Sequence, residues 1–153
     1  MISTTIWQLA EELLTALPLM NSLMAVKLRQ EIDEEITLVQ FRVLNQLQER
    51  SITLSELAEQ RKVTRQAASL QVQGLVERGW VKRIPDPNDR RQAMLEVTSE
   101  GLKQLQKARQ SLTEYMAHLL EILTPDELVA LHVVLPAFQR IIKREGGPTE
   151  HQE

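Results

Sequence analysis

The chain has 153 residues, 42% of them hydrophobic but only 3% aromatic, so any core has to be built from Leu, Val, Ile, Ala and Met. It contains no cysteine, which excludes disulfides, cysteine-ligated zinc and a thiol nucleophile. The net charge is −3, yet residues 61–91 carry eight basic and three acidic side chains. Positive charge is concentrated in the middle of the chain, and phosphates are neutralised locally rather than by net charge.

No run approaches the roughly 18 or more consecutive apolar residues of a membrane helix, and Glu11 and Glu12 interrupt the apolar N-terminal stretch. A soluble cytoplasmic protein with no membrane association is expected. The first segment, from Thr5 to Ile32, carries an apolar stripe of Ile6, Leu9, Leu13, Leu17, Met20, Met24 and Leu28 at helical spacing. Pro18 inside it is expected to kink or break the helix. An acidic group, Asp33, Glu34 and Glu35, follows and reads as a solvated connection.

Threonines then punctuate the chain. Thr37, Thr53 and Thr124 are each followed three residues later by Gln40, Glu56 and Glu127, the pattern of a capping box. Helices are predicted over 37–49, 54–61 and 64–78, the last beginning at Thr64 and ended by Gly79. Beyond Gly79 the period changes. Trp80 to Ile84 and Arg91 to Val97 read as the two strands of a hairpin around a turn-rich tip. Trp80 is assigned to the core beneath that hairpin. Thr98 opens a long helix to about Leu123, and a last helix over 125–144 is interrupted at Pro136. Gly146, Gly147 and Pro148 end it, and 146–153 is read as a disordered tail.

The helices at 54–61 and 64–78 have helix-turn-helix proportions. On the second, Ala68, Val72, Leu75 and Val76 make a core face, while Thr64, Arg65, Gln66, Ser69 and Gln73 make a polar one. Arginine can pair with guanine and glutamine with adenine, and a recognition helix reads with its N-terminal residues. Lys82, Arg83, Arg90 and Arg91 flank the hairpin tip, and a narrow minor groove attracts inserted arginine. Asp89 lies two residues before Arg91 and is placed to orient its guanidinium.

His118 and His132 fall on different helices and His151 in the tail, without metal-ligand spacing, so no metal or cofactor is assigned. No nucleophile–base pair or phosphate loop supports an enzyme. The wide stripes on the terminal helices point to two-fold self-association.

Residues 53–101 resemble the winged helix-turn-helix of the MarR family of regulators. The resemblance rests on residues 53–58, Val63-Thr64-Arg65-Gln66, residues 75–83, Asp86-Pro87-Asn88-Asp89-Arg90-Arg91 and residues 95–101. It implies a mainly α fold, a three-helix unit with a β-hairpin wing, flanked by N- and C-terminal dimerisation helices. The corresponding division is 1–34, 35–100, 101–145 and the tail. It further implies a homodimeric repressor on a palindromic DNA operator, released by a small aromatic effector whose pocket is unassigned here. Thr64, Arg65, Gln66, Ser69, Leu70 and Gln73 then map to the major groove, and Lys82, Arg83, Asp89, Arg90 and Arg91 to the wing. Leu70 and Gly74 stand where the family often has basic residues; Leu70 is open between a thymine-methyl contact and the core. The rival reading is a winged-helix adaptor that binds protein rather than specific DNA.

Overall fold

A computed structural model describes residues 2–31, 36–89 and 91–145. Six helices and three short strands follow in order: α1 Ile2–Glu31, α2 Leu38–Glu49, β1 Ile52–Thr53, α3 Leu54–Gln60, α4 Arg65–Glu77, β2 Val81–Pro85, β3 Ala93–Val97, α5 Ser99–Leu120 and α6 Pro125–Arg144. The acidic group at 33–35, Arg90 and the tail from 146 lie outside the described residues, as does Ile32 at the expected end of the first helix.

The capping boxes form as their spacing predicts. Thr37, Thr53 and Thr124 each accept from the N3 backbone while the N3 side chain accepts from the threonine N–H. Thr64 and Thr98 cap α4 and α5 through their hydroxyls alone. In the Thr53 box, Glu56 takes the Thr53 N–H at 2.7 Å. That bond, chiefly, holds the Glu56 carboxyl below its ordinary value, with Arg50 adding a smaller push. A lowered carboxyl contributes stability above the ordinary glutamate range and loses it as pH falls through the folded value. The stability advantage of the native chain over Glu56→Gln is therefore expected to be larger near pH 7 than near pH 3. Urea midpoints at the two conditions check this, and a pH-independent difference would contradict it.

Both α3 and α4 end in Schellman turns. Lys62 donates to Glu59 and Val63 to Ala58; Gly79 donates to Val76 and Trp80 to Leu75. Each turn needs one left-handed residue, supplied by Gly79 at φ 71° and by Lys62 at φ 53°. A non-glycine there costs on the order of 1 kcal/mol.

Neither proline inside a helix breaks it. α1 runs unbroken through Pro18 and α6 through Pro136. A helix proline frees the carbonyl four residues back; Leu14 and His132 stand on exposed faces, where water can take that role. α5 stops at Leu120, three residues short of expectation, with Glu121 as its C-cap. Strand β1 was not anticipated. It adds an edge to the hairpin, giving the antiparallel order β1-β3-β2, with Ile52 opposite Leu95 and Thr53 opposite Met94. Thr53 is thus both the last strand residue and the cap of α3.

The core gathers Leu28 of α1, Val43, Leu44 and Leu47 of α2, Leu57 of α3, Val72 and Leu75 of α4, Trp80, Val81, Leu95, and Leu105, Ala108 and Leu112 of α5. Trp80 is buried at the base of the hairpin, as expected. Burial is uneven: α6 contains no buried residue, and Leu28 is the one buried hydrophobic described on α1. Over Thr5–Gln30, α1 is long and apolar enough by length and composition to cross a membrane, which counting consecutive apolar residues did not reveal.

Candidate nucleic-acid interface

The Lys62 turn sets α4 with its N-terminus outward. Thr64 caps it, its Oγ1 accepting from Ala67 N at 3.1 Å. Ala68, Val72 and Leu75 fasten the opposite face to the core. Arg65, Gln66 and Leu70 are exposed and Ser69 is half-buried. The exposure of Leu70, 66%, decides its open reading: it is not a core residue.

Two positions differ from the simple picture. Gln73 is exposed, but its amide donates to Glu77 at 2.9 Å, so it is engaged along its own helix. Gly74 is half-buried, and a Cβ there would meet the flexible end of the Gln40 side chain, Nε2, at 3.2 Å.

The wing rises directly from the end of α4. Five registered pairs join its strands, from Val81–Val97 to Pro85–Ala93. At the tip Asp86 N donates to Gln92 O, while the Asp86 carboxylate accepts from Asn88 N at 2.8 Å, an Asx turn. Asp89 accepts from the backbone N–H of Arg91 at 3.0 Å and from the Gln92 amide at 3.2 Å. This corrects the expectation that it would grip the Arg91 guanidinium: it fixes the backbone and leaves the exposed side chain to project. Lys82 is also partly spent, since it faces Glu96 across the ladder at 2.6 Å. Arg65, Arg83 and Arg91 make no ion pair among the described residues, so uncompensated cations stand at the start of α4 and along the wing. Arg90 is not described.

One residue outside the motifs supports this geometry. Gly101, buried in the first turn of α5, lies so close to Trp80 that a Cβ would fall 2.1 Å from its carbonyl oxygen. That oxygen accepts from Thr98 N at 2.9 Å, and Thr98 Oγ1 donates to Gly79 O at 2.6 Å. The wing base, the end of α4 and the start of α5 are locked at one point. The available signal was a glycine at N3 of a capped helix, which is unusual where glutamate or glutamine is favoured.

The sequence profile of the MarR family matches residues 35–92. The multiple antibiotic resistance protein MarR of Escherichia coli is 32% identical over 103 residues, 66% of this chain and 72% of that protein. A crystal structure of a mutant of the E. coli protein superposes with a TM-score of 0.77 at 27% identity, covering 86% of this chain and 96% of the other. A mutant of the same protein crystallised with operator DNA gives 0.66 at 28% identity, covering 83% and 93%. With a matching profile across the lobe, the wing motif in place and an E. coli relative aligned over most of its length, the chain belongs to the MarR family of transcriptional regulators.

Proposed function

We propose that the chain acts as a homodimeric repressor on a palindromic operator, released by a small organic effector, and that it works in the cytoplasm. The observation that carries the DNA assignment is the pairing of an outward α4 N-terminus with an exposed, pinned Arg91 on an adjacent wing. In this reading the positive end of α4 and Thr64 hold phosphate, Arg65, Gln66 and Ser69 read major-groove edges, and Leu70 packs on a thymine methyl. Arg91 enters the minor groove, where narrowing deepens the negative potential, and Arg83 takes backbone phosphate. Gln73, Lys82 and Asp89 set the geometry of these groups more than they touch DNA. Glu96 offsets the Lys82 charge.

The dimer is supported by apolar surface that one protomer leaves uncovered. Trp7 is 73% exposed on α1 and Val133 69% on α6. Contiguous apolar faces of this kind mark association surfaces. Glu11 and Glu12 within α1 favour a partner helix over a bilayer as its cover. An isologous pair presents two recognition helices to half-sites about one helical turn, roughly 34–36 Å, apart. Repeated selection of bound duplexes from a random pool tests the reading. Two inverted half-sites are expected. A single unrepeated site, or a light-scattering mass of 17.6 kDa rather than twice that at micromolar concentration, would contradict the dimer. Failure to enrich any sequence would contradict the operator.

A further inference from the structure

The outward stripe of α4 is not uniformly polar. Ala68, Val72 and Leu75 are buried on the inner side of the helix. Gln66, Leu70, Gln73 and Glu77 follow one another at helical spacing on the other side, and all of them are exposed. α4 packs against α2, α3 and β2, and none of these covers Leu70, which is 66% exposed. Its helical neighbours one turn before and one turn after include Ala67 and Gly74, so at most a methyl group stands beside it on those sides.

Leucine can neither donate nor accept a hydrogen bond. In the major groove guanine, adenine and cytosine offer polar edge atoms to a side chain, whereas thymine adds a C5-methyl group. Leucine set against an amino group or a carbonyl strips it of water and returns no bond, which costs affinity. Set against a methyl, it gains by the apolar surface that both remove from water. Gln73, next along the stripe, already has its amide bonded to Glu77 at 2.9 Å. What leucine detects is the methyl and not the base that carries it. 5-Methylcytosine bears a methyl on the same C5 atom and presents the same surface to it.

We propose that Leu70 makes α4 a reader of C5-methyl groups: at one position of each half-site it selects a methylated pyrimidine, thymine or 5-methylcytosine, over its unmethylated counterpart. Cytosine methylation at that position therefore strengthens binding, and the hold of the chain on a site responds to the methylation state of the DNA. A lysine or arginine in place of Leu70 would take phosphate or guanine instead and would not sense the methyl. The inference deepens the regulator reading above, on which it rests, by naming the chemical group that one side chain recognises.

Fluorescence anisotropy of the full chain with variants of one selected duplex tests this. Thymidines are replaced by deoxyuridine, one position at a time and in both half-sites together, which removes the methyl and nothing else. One position is expected to lose about tenfold or more in affinity, roughly fourfold for each buried methyl. At that position 5-methylcytosine should bind better than cytosine by a similar factor. Leu70→Ala, whose fold circular dichroism checks, should bind the parent duplex about as weakly as the native chain binds the deoxyuridine duplex, and should lose nothing further on either substitution. No position sensitive to deoxyuridine, an equal loss in Leu70→Ala, or 5-methylcytosine binding no better than cytosine would overturn the proposal. Because every comparison starts from a duplex that the native chain binds selectively, such a failure leaves the regulator reading standing; absence of selective binding to any duplex would overturn both.

Discussion

Gly101→Ala is expected to destabilise the protein by about 3 kcal/mol or more. Overpacking a well-filled site typically costs about 1–3 kcal/mol, and the larger values arise when backbone rather than a flexible side chain has to move. Here the added methyl would meet the Trp80 carbonyl oxygen at 2.1 Å, the Trp80 carbonyl carbon at 2.9 Å and Val97 Cγ2 at 2.9 Å. Trp80 cannot give way easily, since it is 1% exposed and its carbonyl holds Thr98 N. Relief requires the start of α5 to lift from the wing base, opening the seam that carries Leu105 and Ala108 into the core. Urea unfolding at fixed protein concentration should show a midpoint lowered by roughly 1 M or more. A loss below about 1 kcal/mol would mean that α5 is not held against Trp80 in the way described. The variant should also bind DNA poorly, because the wing is anchored at the same point.

Arg91→Ala is expected to weaken operator binding about tenfold or more, with the fold unchanged. The side chain is exposed, and the bond that Asp89 makes is to the Arg91 backbone, which alanine retains. Surface changes of this kind usually alter stability by no more than about 0.5 kcal/mol. A lost groove contact removes at least about 1.4 kcal/mol, a factor of ten. Lys82→Ala is the internal comparison. Its charge already faces Glu96, so it should cost DNA affinity clearly less than Arg91→Ala. Fluorescence anisotropy with the selected duplex measures both. Equal losses would show that the wing acts as diffuse positive charge rather than through one inserted arginine. Unchanged affinity in Arg91→Ala would remove the wing from the interface.

What could be read from the sequence was whatever chemistry is local. The start of α6 was legible because Thr124, Pro125 and Glu127 satisfy free backbone donors within one turn. Gly79 marked the end of α4 for a similar reason, since the turn there needs positive φ. Whether the two prolines would kink or break their helices was open from the sequence, because a helix proline costs roughly 3 kcal/mol in general. Whether it breaks a given helix depends on where the freed carbonyl points. β1 was missed because two residues have no periodicity; only the edge of β3, more than forty residues later, makes Ile52 and Thr53 a strand.

The site shows the same division. Arg65, Gln66 and Arg91 stand on the surface where helix phase and turn chemistry put them. Gln73, Lys82 and Asp89 are each engaged by a neighbour, which spacing alone did not reveal. The role of Gly101 depends on packing against Trp80 from an element distant in sequence, and its one local signal was a glycine at N3 of a capped helix.

The central claim is that α4 and the wing bind DNA in a sequence-selective way. The most direct measurement is anisotropy of the purified chain with the DNA upstream of its own gene and with a scrambled duplex, each at two salt concentrations. Binding that favours the native sequence and falls steeply with salt is predicted, because several phosphates exchange counterions for Arg and Lys. Weak binding that is equal on the two duplexes would contradict the account for that operator. If selection from random duplexes also fails, the winged helix serves a protein partner instead.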